Sequence, residues 1–359
     1  MRIEFITSYF YPFTGGIENV VIHLAEGLSR RGHTVVVHTG NTYPGLQGKL
    51  AVREKHNKFL IKRYPIYPFS LFFPQLEFTD SVISLHNYSA LMNDYVCRKY
   101  VKQKKVMTPY GTITYDRAQR KYPFFSTFYD SLLGRQTLSS LDTVVAMTEF
   151  EQKNIIKKYP QFRKKMVTIP SGVDIVSFNK NNSMKVPKNY FFSIGRIARS
   201  KNFENVLSVL AKFPSHHYLL AGSDNGYLKE LKKIAQEKKV IEQFHYLGKV
   251  SDEEKAFLME NSDVFIMPSS AEAFSIASVE AFYYSKKVVG ARSGGIIDVF
   301  RELGGSLYNS GDIQGLEKTL VKILETPVSS AVTEKRRKII QSKYSWDKVI
   351  DDYEKTFSI

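Results

Sequence analysis

Short apolar runs alternate along the chain with stretches whose apolar residues recur every three or four positions. The run Arg2–Ser8 is typical of a strand, and Ile17–Arg31 has the spacing of a helix that Gly32 can end. Further strands are predicted at residues 34–38, 142–146, 167–169, 190–194, 218–221, 243–246, 263–267 and 287–289, and helices at residues 227–238, 252–260 and 276–284. This alternation predicts α/β layers built around parallel sheets.

A polar stretch rich in Asn and Lys interrupts the alternation at Asp174–Lys188, just before a new strand. Strand–helix units lie on both sides of it, so we expect two doubly wound domains. Their predicted limits are residues 1–182 and 183–342. A chain of 359 residues is long enough for both, at roughly 150 residues per domain.

The single cysteine, Cys97, excludes a disulfide framework and a cysteine-built zinc site, and it fits a reducing compartment. No apolar run approaches the roughly 20 residues of a membrane-spanning helix. Met1–Glu4 leads into a strand-like run and not into the apolar segment of a signal peptide. These features predict a cytoplasmic protein.

The charge is strongly positive, with 51 basic and 35 acidic residues, and it is uneven. Residues 1–182 hold 25 basic and 13 acidic residues, a net charge of +12, whereas the rest of the chain holds 26 and 22, a net charge of +4. A basic first half favours an anionic partner, either nucleic acid, a phosphorylated substrate or an anionic membrane. The alternative is that the excess charge only keeps the protein soluble.

Glycine pairs follow several predicted strands. Gly15 and Gly16 lie in a loop that leads into the first predicted helix, where free N–H groups and the positive end of the dipole suit a phosphate. The turn at Gly222 and the pair Gly294–Gly295 also allow close backbone approach to a ligand. In each case the alternative is that glycine only satisfies the turn geometry.

Two cations follow the strand at 190–194, in the segment that begins at Gly195. Arg196 is a forked donor for phosphate oxygens and Lys201 is a point charge. Ligands of open α/β sheets bind beyond the carboxyl ends of strands. The two side chains can therefore neutralise a diphosphate, or they can belong to a solvated basic loop.

Two carboxylates bracket the start of the helix predicted at 276–284. Glu272 precedes the helix and Glu280 lies eight positions later, just over two helical turns, so both can lie along one side. The N–H groups of Phe274, Ser275 and Ile276 lie at the helix start, where they can hold phosphate oxygens. The alternatives are a capping role for Glu272 and a surface position for Glu280.

Taken in order, these segments resemble glycosyltransferase family 4, whose members are retaining enzymes with the GT-B fold. The Glu272–Glu280 pair is similar to the E-x7-E signature of that family. The resemblance covers nearly the whole chain and includes Gly15–Glu18, Ile169–Asp174 with Phe178, Gly195–Arg196 with Lys201, Gly222–Ser223, Tyr246–Gly248, Asp263–Ser269, Gly294–Ile296 and Tyr344–Trp346.

The resemblance implies two Rossmann-like parallel-sheet domains that face each other across a cleft, with a helix at residues 343–359 packing back on the first. It implies a retaining hexosyltransferase in which Arg196 and Lys201 stabilise the leaving diphosphate and Glu272 orients the donor sugar. Glu280 is expected at the ribose, and Lys249 with Val250 at the base. Donor binding is also implied for Gly15, Gly16, Gly195, Gly222, Phe274, Ser275 and Ile276.

The implied donor is a UDP- or GDP-linked sugar, and no metal or other cofactor is required, because side-chain cations and helix dipoles stabilise the charge. The sequence shows no clustered Asp/His ligand set. As the donor glycosidic bond breaks, the departing phosphate can take the proton of the acceptor. No carboxylate nucleophile is then required.

Three positions depart from the family pattern. Ser171 replaces the usual Asn, Ala273 replaces the usual Gly, and Tyr110 stands where a histidine is expected. A Tyr hydroxyl can bind a sugar hydroxyl but does not titrate near neutral pH as an imidazole does. Glu18, His86 and Tyr110 are the candidates on the acceptor side, and the alternative for His86 is a structural role.

The segment Phe59–Phe78 is aromatic, interrupted by prolines, and carries Lys62 and Arg63. A second aromatic run lies at residues 121–133. Aromatic residues beside cations suit a membrane interface. We therefore expect peripheral contact with an anionic membrane, at its cytoplasmic face, and a lipid-linked acceptor. The alternative is a core-forming loop and a lip for a soluble saccharide.

Two features of the sequence favour alternatives to the transferase. The charge of +16 favours a nucleic-acid-binding protein, but no helix-turn-helix, RNP-type or zinc-finger pattern is present, so we expect no nucleic acid partner. The tyrosine at position 110 favours an inactive GT-B scaffold.

Overall fold

The computed structural model describes residues 1–13, 15–68, 71–76, 80–88, 90–111, 135–177, 184–284 and 287–358. The chain divides into two units, Met1–Gly172 with Trp346–Ile359, and Val173–Ser345. The predicted boundary at 182/183 therefore falls inside the second unit. Phe178 and the aromatic run at 121–133 lie outside the described residues.

The first unit contains a sheet that is parallel except at one edge. Its strands are β1 Arg2–Ile6, β2 Thr34–Gly40, β3 Arg53–His56, β4 Phe59–Tyr64, β5 Ser81–His86, β6 Lys104–Thr108, β7 Thr143–Ala146 and β8 Met166–Thr168. The strand order is β3-β4-β2-β1-β5-β6-β7-β8, and only β3 and β4 pair antiparallel. From β1 the chain continues to β2 on one side of β1, and it later enters β5 on the other side of β1. The boundary between β1 and β5 is therefore a topological switch point.

Among the described residues of the first unit, helices follow four of the eight strands: β1, β5, β6 and β7. They are α1 Gly16–Arg30, α2 Ala90–Lys99, α3 Arg135–Ser139 and α4 Glu149–Lys158. In α1 the buried residues recur at helical spacing, as the sequence predicts, and include Val20, Leu24 and Leu28. Thr148 caps α4 by accepting a hydrogen bond from the Glu151 N–H at 3.2 Å.

The second unit contains a sheet whose pairings are all parallel. Its strands are β9 Tyr190–Ile194, β10 His217–Ala221, β11 Phe244–Gly248, β12 Val264–Met267, β13 Val288–Arg292 and β14 Ser306–Asn309, in the order β11-β10-β9-β12-β13-β14. Its helices are α5 Glu204–Leu210, α6 Leu228–Glu237, α7 Asp252–Asn261, α8 Ile276–Tyr284, α9 Ile296–Leu303, α10 Ile313–Glu325 and α11 Ser330–Lys343. The β9/β12 boundary is its switch point.

The helix expected at residues 343–359 begins three positions later, as α12 Trp346–Ser358. It belongs to the first unit, where Gly27 of α1 leaves space for the Ile350 side chain; a Cβ at Gly27 would overlap with it. Arg31 forms ion pairs with Asp351 at 2.5 Å and Glu354 at 2.7 Å. The chain thus enters the second unit at 172/173 and leaves it at 345/346.

The expectation that Phe59–Phe78 lies at an interface is wrong for its first part. Residues 59–64 form β4, in which Phe59 is buried and Lys62 and Arg63 are only 6% and 1% exposed. Arg63 pairs with Glu54 at 2.7 Å and donates to the Tyr11 carbonyl at 2.8 Å. These cations are therefore internal structural groups. Among the described residues, no helix is both long enough and apolar enough to cross a bilayer.

Candidate active site

Loops after β9, β10 and β11 pack together at the carboxyl edge of the second sheet. The Gly222 N–H donates to the Gly248 carbonyl at 2.7 Å, and the Ile197 N–H donates to the Ser223 carbonyl at 2.9 Å. Gly222 has a φ of +131°, and a Cβ there would overlap with the Gly195 carbonyl. Glycine is thus required at 222 because two backbones approach closely.

Lys201 and Glu272 come together at the switch point of this sheet. Lys201 Nζ lies 2.5 Å from Glu272 Oε1, and the two side chains are 18% and 13% exposed. Their backbones are joined nearby, since the Ser270 N–H donates to the Ser200 carbonyl at 3.1 Å. The pair is partly withdrawn from water, so each charge interacts more strongly there than on the open surface.

The glycine pair after β13 fixes the backbone of Glu272. Gly295 donates its N–H to the Glu272 carbonyl at 2.8 Å. Gly294 has a φ of +54°, and a Cβ there would overlap with the same carbonyl oxygen. Ser293 adds a hydrogen bond from its hydroxyl to the Ser269 carbonyl at 2.6 Å. Two of the predicted glycine motifs, 222 and 294–295, are therefore needed for backbone packing in this unit.

The segment after Glu272 forms the start of α8. Phe274 is buried, with its ring centroid 5.5 Å from that of Tyr344, and Ser275 adopts a left-handed φ of +78°. The Ser275 hydroxyl lies 2.8 Å from that of Ser278. The helix begins at Ile276, as the sequence predicts, so its first N–H groups and positive dipole end lie next to Glu272 in the chain.

Glu280 is buried and not a surface carboxylate, and its partner is Lys255 of α7. Lys255 Nζ lies 2.8 Å from Glu280 Oε1 and 2.8 Å from Asp252 Oδ1. Burial raises the pKa of Glu280 to about 7, although the charge of Lys255 lowers it. Sequence reasoning missed Lys255, whose only signal is its place on a helix predicted to begin at Asp252.

The remaining donor-side candidates of the second unit lie nearer to solvent. Arg196 is exposed and directly follows Gly195 at the end of β9. Lys249 is exposed beside Val250, and both line a cavity of about 200 Å³ together with Leu247 and Glu254. The structure thus brings Lys201 to Glu272 directly, while Arg196 and Lys249 are exposed at the ends of β9 and β11, which lie on either side of β10.

In the first unit, Gly15 and Gly16 form the start of α1. Gly15 is extended, with a φ of −163°, and its carbonyl accepts a hydrogen bond from the Asn19 N–H at 2.9 Å. The Glu18 carboxylate folds back over Gly15, where a Cβ would overlap with it. This acidic group lies in the first helical turn, where the dipole favours a negative charge.

His86 and Tyr110 meet at the ends of β5 and β6. His86 Nδ1 lies 2.7 Å from the Tyr110 hydroxyl, and His86 Nε2 lies 2.9 Å from the Ser84 hydroxyl. Burial lowers the pKa of His86 to about 3, so the ring is neutral. His86 has the structural partners that the sequence allowed as an alternative.

Glu151, which sequence reasoning did not select, holds the turn that follows Tyr110. Its two oxygens accept hydrogen bonds from the N–H groups of Gly111 at 2.5 Å and Met147 at 2.8 Å. It is buried, and burial raises its pKa to about 7. Tyr110 itself adopts a left-handed φ of +53°. A buried carboxylate thus fixes a strained tyrosine at the carboxyl edge of the sheet.

Among the described residues, no group of three or more His, Cys, Asp or Glu side chains is placed to hold a metal ion. The charged groups near the carboxyl edge of the second sheet include Arg196, Lys201, Glu272 and the buried Glu280–Lys255 pair. Cations, glycine turns and a helix start at one sheet edge suit an anionic ligand with a polar, hydroxyl-bearing part.

Known proteins are similar to this chain in sequence and in fold. Residues 14–176 match the family described as Glycosyltransferase Family 4, and residues 176–346 match Glycosyl transferases group 1. The chain is 21% identical to the phosphatidylinositol N-acetylglucosaminyltransferase gpi3 subunit of Schizosaccharomyces pombe, over 98% of this chain and 79% of that protein.

Two solved structures are similar over almost their full length. Sucrose-phosphate synthase from Thermosynechococcus elongatus has a TM-score of 0.81 at 18% identity, with 99% of this chain and 98% of that chain covered. The Anabaena protein HepE, solved in complex with UDP and glucose, has a TM-score of 0.74 at 17% identity, with coverage of 100% and 99%.

Two parallel-sheet α/β units with these structural neighbours define the fold as GT-B. The chain belongs to glycosyltransferase family 4 and is a glycosyltransferase. Both the family and the fold predicted from the sequence are confirmed. The family assignment favours the transferase over the nucleic-acid-binding alternative.

Proposed function

We propose that this protein is a retaining hexosyltransferase, which moves a sugar from a UDP- or GDP-linked donor to a lipid-linked or saccharide acceptor. The observation that carries the proposal is the Lys201–Glu272 pair at the β9/β12 switch point, directly before the start of α8. Ligands of doubly wound sheets bind at this position. The UDP and glucose of the similar Anabaena structure support the donor class.

The donor diphosphate is assigned to Lys201, Arg196 and the first N–H groups of α8. As the bond between the anomeric carbon and the diphosphate oxygen breaks, negative charge grows on the leaving group. Fixed cations and a helix start stabilise that charge without reorganising. A bond then forms from the acceptor oxygen to the anomeric carbon, and the acceptor proton passes to the leaving phosphate.

Glu272 and Glu280 are assigned different tasks. Glu272 is partly exposed, so one of its oxygens is available to orient hydroxyls of the donor sugar while the other pairs with Lys201. Glu280 is assigned to the ribose, and Lys255 is a positioning residue that holds one Glu280 oxygen. Lys249 and Val250 remain the proposal for the base, and Gly15 and Gly16 for the diphosphate.

A lipid-linked acceptor at the cytoplasmic face of a membrane is the favoured acceptor class. The support is the net charge of +12 on residues 1–182 and the Schizosaccharomyces pombe relative, whose name gives phosphatidylinositol as its acceptor. On the acceptor side Glu18 is the favoured contact, because His86 and the Tyr110 hydroxyl are bonded to each other and buried.

The proposal is tested by incubating the purified protein with a panel of UDP- and GDP-sugars and measuring release of the nucleoside diphosphate. We expect one donor class to be consumed, and Lys201→Ala or Arg196→Ala to lower turnover by about a hundredfold or more, as loss of a charge-stabilising group does. Lys229→Ala, which removes an exposed cation from α6, is the matched control. Normal turnover in both test variants would remove these cations from the mechanism.

A further inference from the structure

Three aromatic side chains form a cluster on the first unit, outside the candidate site. Tyr67 and Phe73 are 51% and 44% exposed, and their ring centroids lie 5.5 Å apart. The Phe73 ring packs edge-on against Tyr95 of α2 at 5.0 Å. We call Tyr67, Phe73 and Tyr95 the aromatic ledge.

Described residues next to the ledge make defined contacts with the first unit. Phe72, next to Phe73, is fully buried in the core, and the Tyr67 N–H donates to the Leu71 carbonyl at 2.8 Å. The hydroxyl of Tyr100, at the end of α2, donates to the Pro74 carbonyl at 2.5 Å. Because Phe72 is buried and the residues on either side are hydrogen-bonded, the Phe73 side chain lies on the surface.

Lys99, at the end of α2, contacts the ledge, and further exposed cations lie next to it in the chain. Lys99 donates to the Tyr95 hydroxyl at 2.8 Å, and its Nζ lies 5.3 Å from the centre of the Tyr95 ring. Arg98, which pairs with Asp94 at 2.8 Å, and Lys102 are also exposed, and between them in the chain Val101 is 72% exposed. Positive charge therefore adjoins the ledge at Lys99 and continues along the next exposed residues of the chain.

We propose that the aromatic ledge, with Lys99 and Lys102, is the surface by which the protein docks on a bilayer containing anionic phospholipids. The inference rests on the proposed lipid-linked acceptor. In it the aromatic ledge takes the place of the buried β4 cations as the proposed membrane contact. Tyr67 and Tyr95 combine an apolar ring with a polar hydroxyl, which suits the headgroup region, and Phe73 adds an apolar ring. An ammonium group next to them suits lipid phosphates. A soluble polyanion would use the cations but would leave Phe73 without a partner.

The first test is co-sedimentation with vesicles of equal parts phosphatidylcholine and phosphatidylglycerol, and with vesicles of phosphatidylcholine alone. We expect binding to the anionic vesicles, and a loss in affinity of about fivefold for each cation removed in Lys99→Gln/Lys102→Gln. Phe73→Ser is expected to lower affinity by roughly fivefold to tenfold. Lys229→Gln/Lys232→Gln, the matched control on α6, removes the same charge from the second unit.

Equal losses in the control and in Lys99→Gln/Lys102→Gln would overturn the proposal, since any surface charge would then suffice. Unchanged affinity in Phe73→Ser would also overturn it and would favour a soluble polyanion. Each variant is first compared with the wild type by thermal unfolding and by nucleoside diphosphate release in solution. Normal release with lost vesicle binding separates a failure of docking from a failure of the proposed function.

A second measurement locates the contact directly. Cys97, the single cysteine, is buried, so Phe73→Cys provides one reactive thiol for an environment-sensitive fluorophore. Anionic vesicles are expected to shift the emission of this label to shorter wavelength, as the probe leaves water. The same label at Lys229→Cys is expected to show no shift. An unshifted label at position 73 on sedimenting protein would place the contact elsewhere and refute the assignment.

Discussion

Replacing Lys255 by methionine removes the ammonium group that pairs with the buried Glu280 carboxylate. Glu280 is 4% exposed, the Lys255 side chain is 13% exposed, and their closest atoms are 2.8 Å apart. Removing one partner of a buried pair typically costs about 3–5 kcal/mol, because the other charge is left without compensation. We expect Lys255→Met to lose stability of that size where Glu280 is ionised.

The pH dependence follows from the raised pKa of Glu280. A pKa of about 7 in the folded state, against 4.5 in the unfolded chain, means that the folded state holds this proton more tightly. Stability therefore declines as the pH rises from about 4.5 to about 7, by about 3 kcal/mol for this group alone. In Lys255→Met the pKa rises further, so the decline continues to higher pH.

The assay is chemical denaturation of four proteins at about pH 6 and about pH 8: wild type, Lys255→Met, Glu280→Gln and the double variant. We expect Lys255→Met to lower the free energy of unfolding more at the higher pH. In the double variant, Glu280→Gln should recover at least about 2 kcal/mol of the stability that Lys255→Met loses. A loss that is equal at both pH values, or single effects that add within about 0.5 kcal/mol, would refute the coupling between the two groups.

Three further substitutions test the contacts that shape the two sheet edges. Glu151→Gln turns an amide NH₂ toward one of two backbone N–H groups, so thermal unfolding should show a loss of about 1–3 kcal/mol, whereas a surface Glu→Gln change should show almost none. Gly294→Ala should displace Glu272 and lower nucleoside diphosphate release, and release at the wild-type rate would contradict this. Tyr110→Phe leaves buried His86 without one partner and should cost about 1–2 kcal/mol by denaturation.

Apolar patterning predicted those elements whose formation depends on local sequence. The predicted strand at 190–194 and helix at 276–284 coincide with β9 and α8. The prediction that Phe59–Tyr64 lies at a membrane interface was wrong. It depended on Lys62 and Arg63, and charged residues usually lie at a protein surface. Their burial depends on partners supplied by other parts of the chain, among them Glu54 and the Tyr11 carbonyl, which no local pattern contains.

The candidate site was predictable only in part, and for the same reason. Lys201 and Glu272 lie on different loops, and they meet because β9 pairs with β12. Their places after predicted strands selected both residues, but spacing along the chain does not give strand order, so only the family resemblance assigned them to one site. Lys255 and Glu151 were missed, since a lysine or glutamate on a helix has the same sequence signal whether it faces solvent or a buried partner.

Lys255 and Glu151 have the same kind of role, since each holds another part of a candidate site in place. Lys255 holds the carboxylate assigned to the ribose, and Glu151 holds the turn that carries Tyr110. Each acts on a site candidate through a buried, charge-assisted hydrogen bond, a type of contact stronger than one between neutral groups. The family motif thus contains the groups proposed to bind the donor, while buried charges outside the motif hold one of those groups and the turn beside Tyr110. Substitutions at Lys255 and Glu151 should therefore alter activity without removing any side chain that touches the substrate.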